Sequence, residues 1–163
     1  IMHEVDIYAS HPEQGVHLAA ELKYHNDPAY KTDLKIALYV KSRFEDIFSY
    51  DAAAHVCPID RGLLVTNTKF TSEAISYSEC AGVELLGWGY PENESLFTRM
   101  SRAKVYPITS LTGLSRAEKR ILIEQKVVAV DEILRNRRLL DALHLSPEQT
   151  GEILAEAEGL LSL

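Results

Sequence analysis

Two short apolar runs, GLLVTN (Gly62 to Asn67) and VELLGW (Val83 to Trp88), bracket a stretch with the marks of a helix, TSEAISYSECAG. Short apolar runs bounded by turn formers are most simply buried strands. Thr71 can cap the helix between them, and Gly82 follows its end. Strand, helix, strand with short loops predicts a parallel crossover, because parallel neighbours need such a connection. The first part of the chain therefore reads as α/β.

The upstream sequence adds a hairpin and a long helix. Met2 to Ala9 mixes Val5, Ile7 and Tyr8 with charge and predicts a short strand; SHPEQG (Ser10 to Gly15) is dense in turn formers. In VHLAAELKY, residues Val16, Leu18, Ala20, Leu22 and Tyr24 fall on one face and His17, Ala19, Glu21 and Lys23 on the other. This period of two predicts a half-buried strand whose charged face is wet. HNDPAYKTD reads as a loop. From about Asp33 to Phe48 the apolar residues Ile36, Val40, Phe44, Ile47 and Phe48 recur at threes and fours, as in an amphipathic helix.

After Pro107 no strand pattern survives. Ser115 with Glu118 fits a capping box, Asp131 is placed to cap a second helix, and Ser146-Pro147-Glu148-Gln149 opens a third. The expected organisation is an α/β domain over residues 1–108 and a small helical module over 109–163.

The motif acid–x–lysine appears three times, as Glu21-Leu22-Lys23, Asp33-Leu34-Lys35 and Glu124-Gln125-Lys126. Composition alone yields about one match. Only the first lies on an expected strand, where i and i+2 point the same way. If the hairpin is centred between Glu13 and Gln14, residues i and 27 − i are opposite, so Asp6 faces Glu21 and Glu4 faces Lys23. Opposed carboxylates repel unless positive charge lies between them. Lys23 can supply part of it and a divalent cation more; magnesium favours one or two carboxylates, with phosphate and water completing its shell. Such a metal polarises a phosphoryl oxygen and acidifies water, while a lysine neutralises developing charge, which suits phosphodiester hydrolysis. The plain alternative is a solvated hairpin face on which Lys23 pairs with Glu21 or Glu4.

Asp6 followed by Glu21-x-Lys23 resembles the PD-(D/E)xK nuclease signature, with valine at position 5 in place of proline. HEVDIYA, ELKYHN, KIALYVKSRFEDI, GLLVTNTKFTSEAISYSECAGVELLGW and LTGLSRAEKRILIEQKVV together resemble the Mrr-type restriction-endonuclease-like family, closest to members with an upstream ATP-cone domain. The resemblance implies a restriction-endonuclease-like mixed sheet flanked by helices, acting on DNA with Mg2+, for which Mn2+ can substitute. It makes Asp6 and Glu21 metal ligands, the Leu22 carbonyl a third, and Lys23 the catalytic lysine. That family's core begins with a helix and a strand absent here, so the expectation is an N-terminally truncated fragment. The C-terminal helices resemble helix-hairpin-helix modules, in which Arg135, Arg137 and Arg138 would touch phosphates; a helical cap or dimerisation element is the alternative.

Further candidates come from position. His25 directly follows the motif, Arg43 lies near the apolar stripe of the long helix and can meet phosphate or pair with Glu45 or Asp46, and Lys69 lies in the loop after GLLVTN. These three are the expected substrate contacts. The formal charge of −7 repels nucleic acid as a whole, so DNA must be held by a local basic patch or bridging cations. Cys57 and Cys80 make neither a disulfide framework nor a zinc site and suit a reducing cytoplasm. No apolar run reaches transmembrane length, so no membrane partner is expected; a homo-oligomer is allowed. The rival functions are a non-catalytic DNA-binding or regulatory module on the nuclease fold, and a structural oligomerisation domain.

Overall fold

The computed structural model describes residues 3–54 and 59–162, with side chains left undescribed over 51–54. Cys57 therefore lies outside the described residues, and Cys80 is an exposed free thiol. Two compact units divide the chain, Ile1–Thr98 and Arg99–Leu163.

In the first unit, β1 (Ile7–His11) and β2 (Val16–Lys23) form an antiparallel hairpin. Its register pairs Ile7 with Ala20 and His11 with Val16, which is the 27 − i rule expected from the turn. The long helix α1 (Leu34–Ala54) then returns the chain to β4 (Arg61–Thr66), parallel to β2. Helix α2 (Ser72–Ala81) carries it to β6 (Glu84–Leu86), parallel to β4. The four-stranded sheet has the order β1-β2-β4-β6. A mixed sheet with crossover helices is thus present, as the sequence implied. The caps of α2 are also those expected: the Thr71 hydroxyl accepts from the Ala74 amide, and Gly82 takes the left-handed conformation at φ 71°.

Two departures matter for the site. HNDPAYKTD and the segment after GLLVTN are not plain loops: β3 (Lys31–Thr32) and β5 (Lys69–Phe70) pair in parallel as a second, two-stranded sheet. Runs that short carry too little periodicity to read. The end of β2 is also turned over relative to expectation, although Ala20 on the Leu22 face is buried too. Ala19 and Glu21 are buried, Glu21 being only 4% exposed, whereas Leu22 is 42% exposed. The reason is α1, whose Ala37, Val40 and Phe44 pack with Ala19 and Leu64 in one apolar core, so the helix covers the face that carries Glu21. Gly62 permits the close approach of α1 to β4: a Cβ there would lie 2.3 Å from the Phe44 ring.

The boundary between the units falls within α3 (Leu96–Ala103). In the second unit, Ile108 and Val130 donate backbone hydrogen bonds to Val128 and Tyr106, which ties residues just before 109 into the helical module. Helices α4 (Arg116–Glu124), α5 (Val130–Arg135) and α6 (Pro147–Ser162), with 3-10 turns at Ile108–Ser110 and Arg137–Leu143, enclose Leu111, Leu122, Ile133 and Ile153. The Ser115–Glu118 capping box is present, and Ser146 and Gln149 exchange hydrogen bonds at the start of α6. Asp131 does not cap α5. Glu132 reaches back to the amides of Val128 and Ala129 instead, and Asp131 pairs with Arg135 at 2.6 Å.

Three carboxylates in this unit hold backbone amides. Glu156 accepts from the Thr112 amide and hydroxyl and from the Gly113 amide, at 2.6, 2.7 and 2.9 Å. Burial pushes its carboxyl up, but these donors outweigh burial and hold it below the ordinary value of 4.5. The Ser115 hydroxyl and amide lower Glu118, and the Ala129 and Val128 amides lower Glu132. A carboxyl whose folded pKa is lowered stabilises the fold fully above its unfolded pKa and loses that contribution as pH falls through the folded one. We expect the second unit to lose stability as pH drops below about 4.5. Glu156→Gln should cost about 1–2 kcal/mol at pH 7, with screening at the lower end, and flatten the acid dependence. Thermal unfolding followed by circular dichroism between pH 3 and 7 checks this; identical pH profiles for variant and wild type contradict it.

Candidate active site

Asp6 is the exposed residue just before β1, and its carboxylate reaches the backbone of β2 next to Glu21. The two carboxylates take separate partners. Asp6 Oδ2 accepts from the Leu22 amide at 2.7 Å. Glu21 turns inward, where Oε1 accepts from Lys23 Nζ at 2.5 Å and Oε2 from Arg43 Nη1 at 2.9 Å. Arg43 comes from the middle of α1, so the ion pair joins helix to sheet. The side chains of Lys23 and Arg43 are 28% and 12% exposed, so all three charges lie largely out of water.

Leu22 offers its backbone to the same place. The N–H and C=O of a strand residue leave on the same edge. Its N–H meets Asp6, so its carbonyl leaves toward the Asp6 side as well. Glu21, Lys23 and Arg43 are therefore brought together, and Asp6 meets this stretch of β2 through the Leu22 amide. Arg43 pairs with neither Glu45 nor Asp46: Lys41 takes Glu45 and His3 takes Asp46, whose carboxyl is lowered by that hydrogen bond. Lys23 goes to Glu21 rather than to Glu4. Tyr39, at 6.0 Å from the Arg43 guanidinium, completes its surroundings, and a cleft of about 350 Å³ opens between His3, Tyr39, Ser42, Arg43 and Asp46.

His25 and Lys69 lie further along the sheet edge. The His25 backbone exchanges two hydrogen bonds with the Asn67 side chain, both at 2.8 Å. Its ring stacks on Tyr30 and its Nε2 lies 3.3 Å from the Thr32 hydroxyl. Lys69 heads β5. Sequence reasoning missed the hydroxyls that connect these parts. Thr66 donates to the Lys23 carbonyl at 2.9 Å, Thr32 lies 3.2 Å from Thr66, and Thr68 lies 3.1 Å from it. All three threonines are buried. The period-two pair Thr66 and Thr68 at the end of an apolar strand was the available signal. In the second unit, Arg135 pairs with Asp131 and Arg137 with Glu158, so two of the three arginines expected to meet phosphate already face acids.

Among the described residues no group of three or more His, Cys, Asp or Glu gathers at metal-binding distance. The donor set at hand is two carboxylates and a carbonyl, all hard oxygens. That fits magnesium, which keeps several waters when one or two carboxylates hold it. It suits zinc less, because protein zinc sites are built mainly from His nitrogen and Cys sulfur.

The buried triad sets a stability order. Glu21→Gln leaves two cations without their counter-charge and should cost about 2–4 kcal/mol. Arg43→Met leaves Glu21 with Lys23 and should cost less. Urea denaturation of both variants measures this, and a Glu21→Gln variant as stable as wild type would contradict it.

Residues 106–161 match the family model described as AF1548-like, C-terminal. An uncharacterized protein of Archaeoglobus fulgidus is 33% identical over 162 residues, covering 97% of this chain and 85% of its own length. The crystal structure of AF1548, titled a protein of unknown function, is similar with a TM-score of 0.74 at 30% identity, covering 98% of this chain and 82% of that one. No described helix is long and apolar enough to cross a membrane.

Proposed function

The chain belongs to the AF1548-like family, and from its site we propose that it is a Mg2+-dependent endonuclease that hydrolyses DNA phosphodiester bonds on a restriction-endonuclease-like core. The observation that carries the reading is the Glu21–Lys23 contact on β2, with the Asp6 carboxylate bonded to the Leu22 amide between them. The Mrr-type likeness of the motif residues supports the same chemistry.

Asp6 at the strand edge and Glu21 beneath it would hold magnesium, with the Leu22 carbonyl as third ligand. When bound, the metal polarises a phosphoryl oxygen and acidifies water. The chain's own groups do the rest. Lys23, at 2.5 Å from Glu21, would orient the attacking water and neutralise charge developing on phosphorus. Arg43 fixes the second oxygen of Glu21, so the carboxylate is held in one orientation before substrate arrives. Burial of Glu21 under α1 strengthens these interactions by lowering the local dielectric. Thr66, bonded to the Lys23 carbonyl, pins the end of β2.

A second reading, a non-catalytic DNA-binding module, is favoured by one observation: both oxygens of Glu21 already have basic partners. Cleavage separates the two. Supercoiled DNA incubated with the full chain and Mg2+ should be nicked or linearised. Asp6→Asn and Lys23→Met should each slow this by about 100-fold or more, while a DNA mobility shift is retained. Equal cleavage by wild type and both variants overturns the endonuclease reading, and metal-independent binding without cleavage supports the second.

A further inference from the structure

Two lysines oppose each other across the two-stranded sheet. Lys31 on β3 is the register partner of Lys69 on β5, and Thr32 is that of Phe70. Thr32 and Phe70 are buried, so the lysines share the exposed face. Neighbouring strands are about 4.7–4.9 Å apart, and like charges directly opposed across them destabilise the pair. Among the described residues neither ammonium takes part in a hydrogen bond or ion pair. The nearest acid to register Lys31 is Glu73 on α2; its carboxyl is lowered first by its own backbone amide and by Thr71 and Ser72, and last by Lys31. Glu73 acts on Lys31 only as a minor charge without a hydrogen bond or ion pair, and a phosphate bridging the two lysines would offset like charge opposed across the strands.

The same lysine borders a cavity. Lys69, Asn67, Thr68, Pro28 and Trp88 line a space of about 260 Å³ at the end of the parallel strands. Trp88 is 45% exposed, and its ring is tilted against that of Phe97 at a centroid distance of 5.5 Å. Open α/β sheets bind ligands beyond the carboxyl ends of their strands. An aromatic face beside a lysine accepts a base and its phosphate without regard to sequence. This place adjoins the candidate active site through continuous chain: Thr66 holds the Lys23 carbonyl, Asn67 holds His25, and Lys69 follows within about 10 Å of extended backbone.

We propose that Lys31, Lys69 and Trp88 form a subsite for one unpaired nucleotide of a DNA strand, its phosphate between the two ammonium groups and its base against the indole. The subsite rests on the endonuclease reading only for its choice of a DNA strand over a free nucleotide. It places a local positive patch on a chain of net charge −7, the condition such a chain needs to hold nucleic acid. It also makes the preferred substrate one with a single-stranded or frayed segment next to the scissile bond.

Trp88 is the sole tryptophan, so its emission reports occupancy without a label. The full chain in EDTA is titrated with a single-stranded oligothymidylate, a duplex of equal length, and thymidine monophosphate. Saturable quenching by the single strand, with weaker effects from duplex and monophosphate, is expected. Trp88→Ala should weaken binding of a fluorescent single strand on the order of 10-fold by anisotropy. Lys31→Ala and Lys69→Ala should each reduce the slope of log affinity against log salt by about 0.7. Emission that stays flat at all strand concentrations, or quenching as strong with duplex or with the monophosphate, overturns the proposal, as do variants that bind like wild type. Because no metal is present, absence of cleavage elsewhere leaves this result unaffected, and cleavage without quenching removes the subsite alone.

Discussion

A carboxylate that is almost out of water organises the first unit. Glu21 is buried beneath α1, and its charge persists there because Lys23 reaches it along the strand and Arg43 from the helix. A buried ion pair seldom adds net stability over an apolar pair, since desolvation offsets attraction. A chain that keeps three charges at the junction of helix and sheet invites a functional reading, and perturbing any one of them disturbs the others. The register of the hairpin follows the same logic. A slip of one residue would carry Glu21 to the exposed face and Leu22 to the buried one.

The topology then arranges the chemistry in a line. Two crossovers, through α1 and α2, make β2, β4 and β6 parallel, so their carboxyl ends open on one edge. Lys23 and Thr66 are register partners there. The buried hydroxyls of Thr32, Thr66 and Thr68 link this edge to the two-stranded sheet that carries Lys31 and Lys69. A phosphodiester chain laid along the edge would meet the carboxylates first and the lysine pair next. On the proposed reading, a local row of positive groups of this kind would let a chain of negative net charge hold DNA.

The sequence made this arrangement legible in part, and the limits have physical causes. The turn SHPEQG centred the hairpin, so the pairing of Ile7 with Ala20 and of His11 with Val16 followed from spacing alone. Apolar runs and caps disclosed β4, α2 and β6, because burial and capping leave local marks. The buried face of β2 was misread. Alternation assigns two faces but cannot say which one a helix will cover, and Leu22 and Tyr24 were the more apolar set. The role of Arg43 was open because its partner is 22 residues away in sequence. Strands β3 and β5 are two residues each, too short to show a period, and their pairing depends on tertiary neighbours. The Glu132 contact at α5 replaced the Asp131 cap because a longer side chain one position on could reach two amides at once.

The central claim is that Asp6 and Glu21 share a divalent cation. Isothermal calorimetry of the full chain with Mg2+, compared with the Asp6→Asn variant, tests it most directly. Asp6 lies at the strand edge and outside the buried triad, so the variant isolates metal binding from folding. The account predicts a saturable site in wild type that Asp6→Asn weakens by at least tenfold. Equal binding by both proteins, or no binding by wild type, would contradict it.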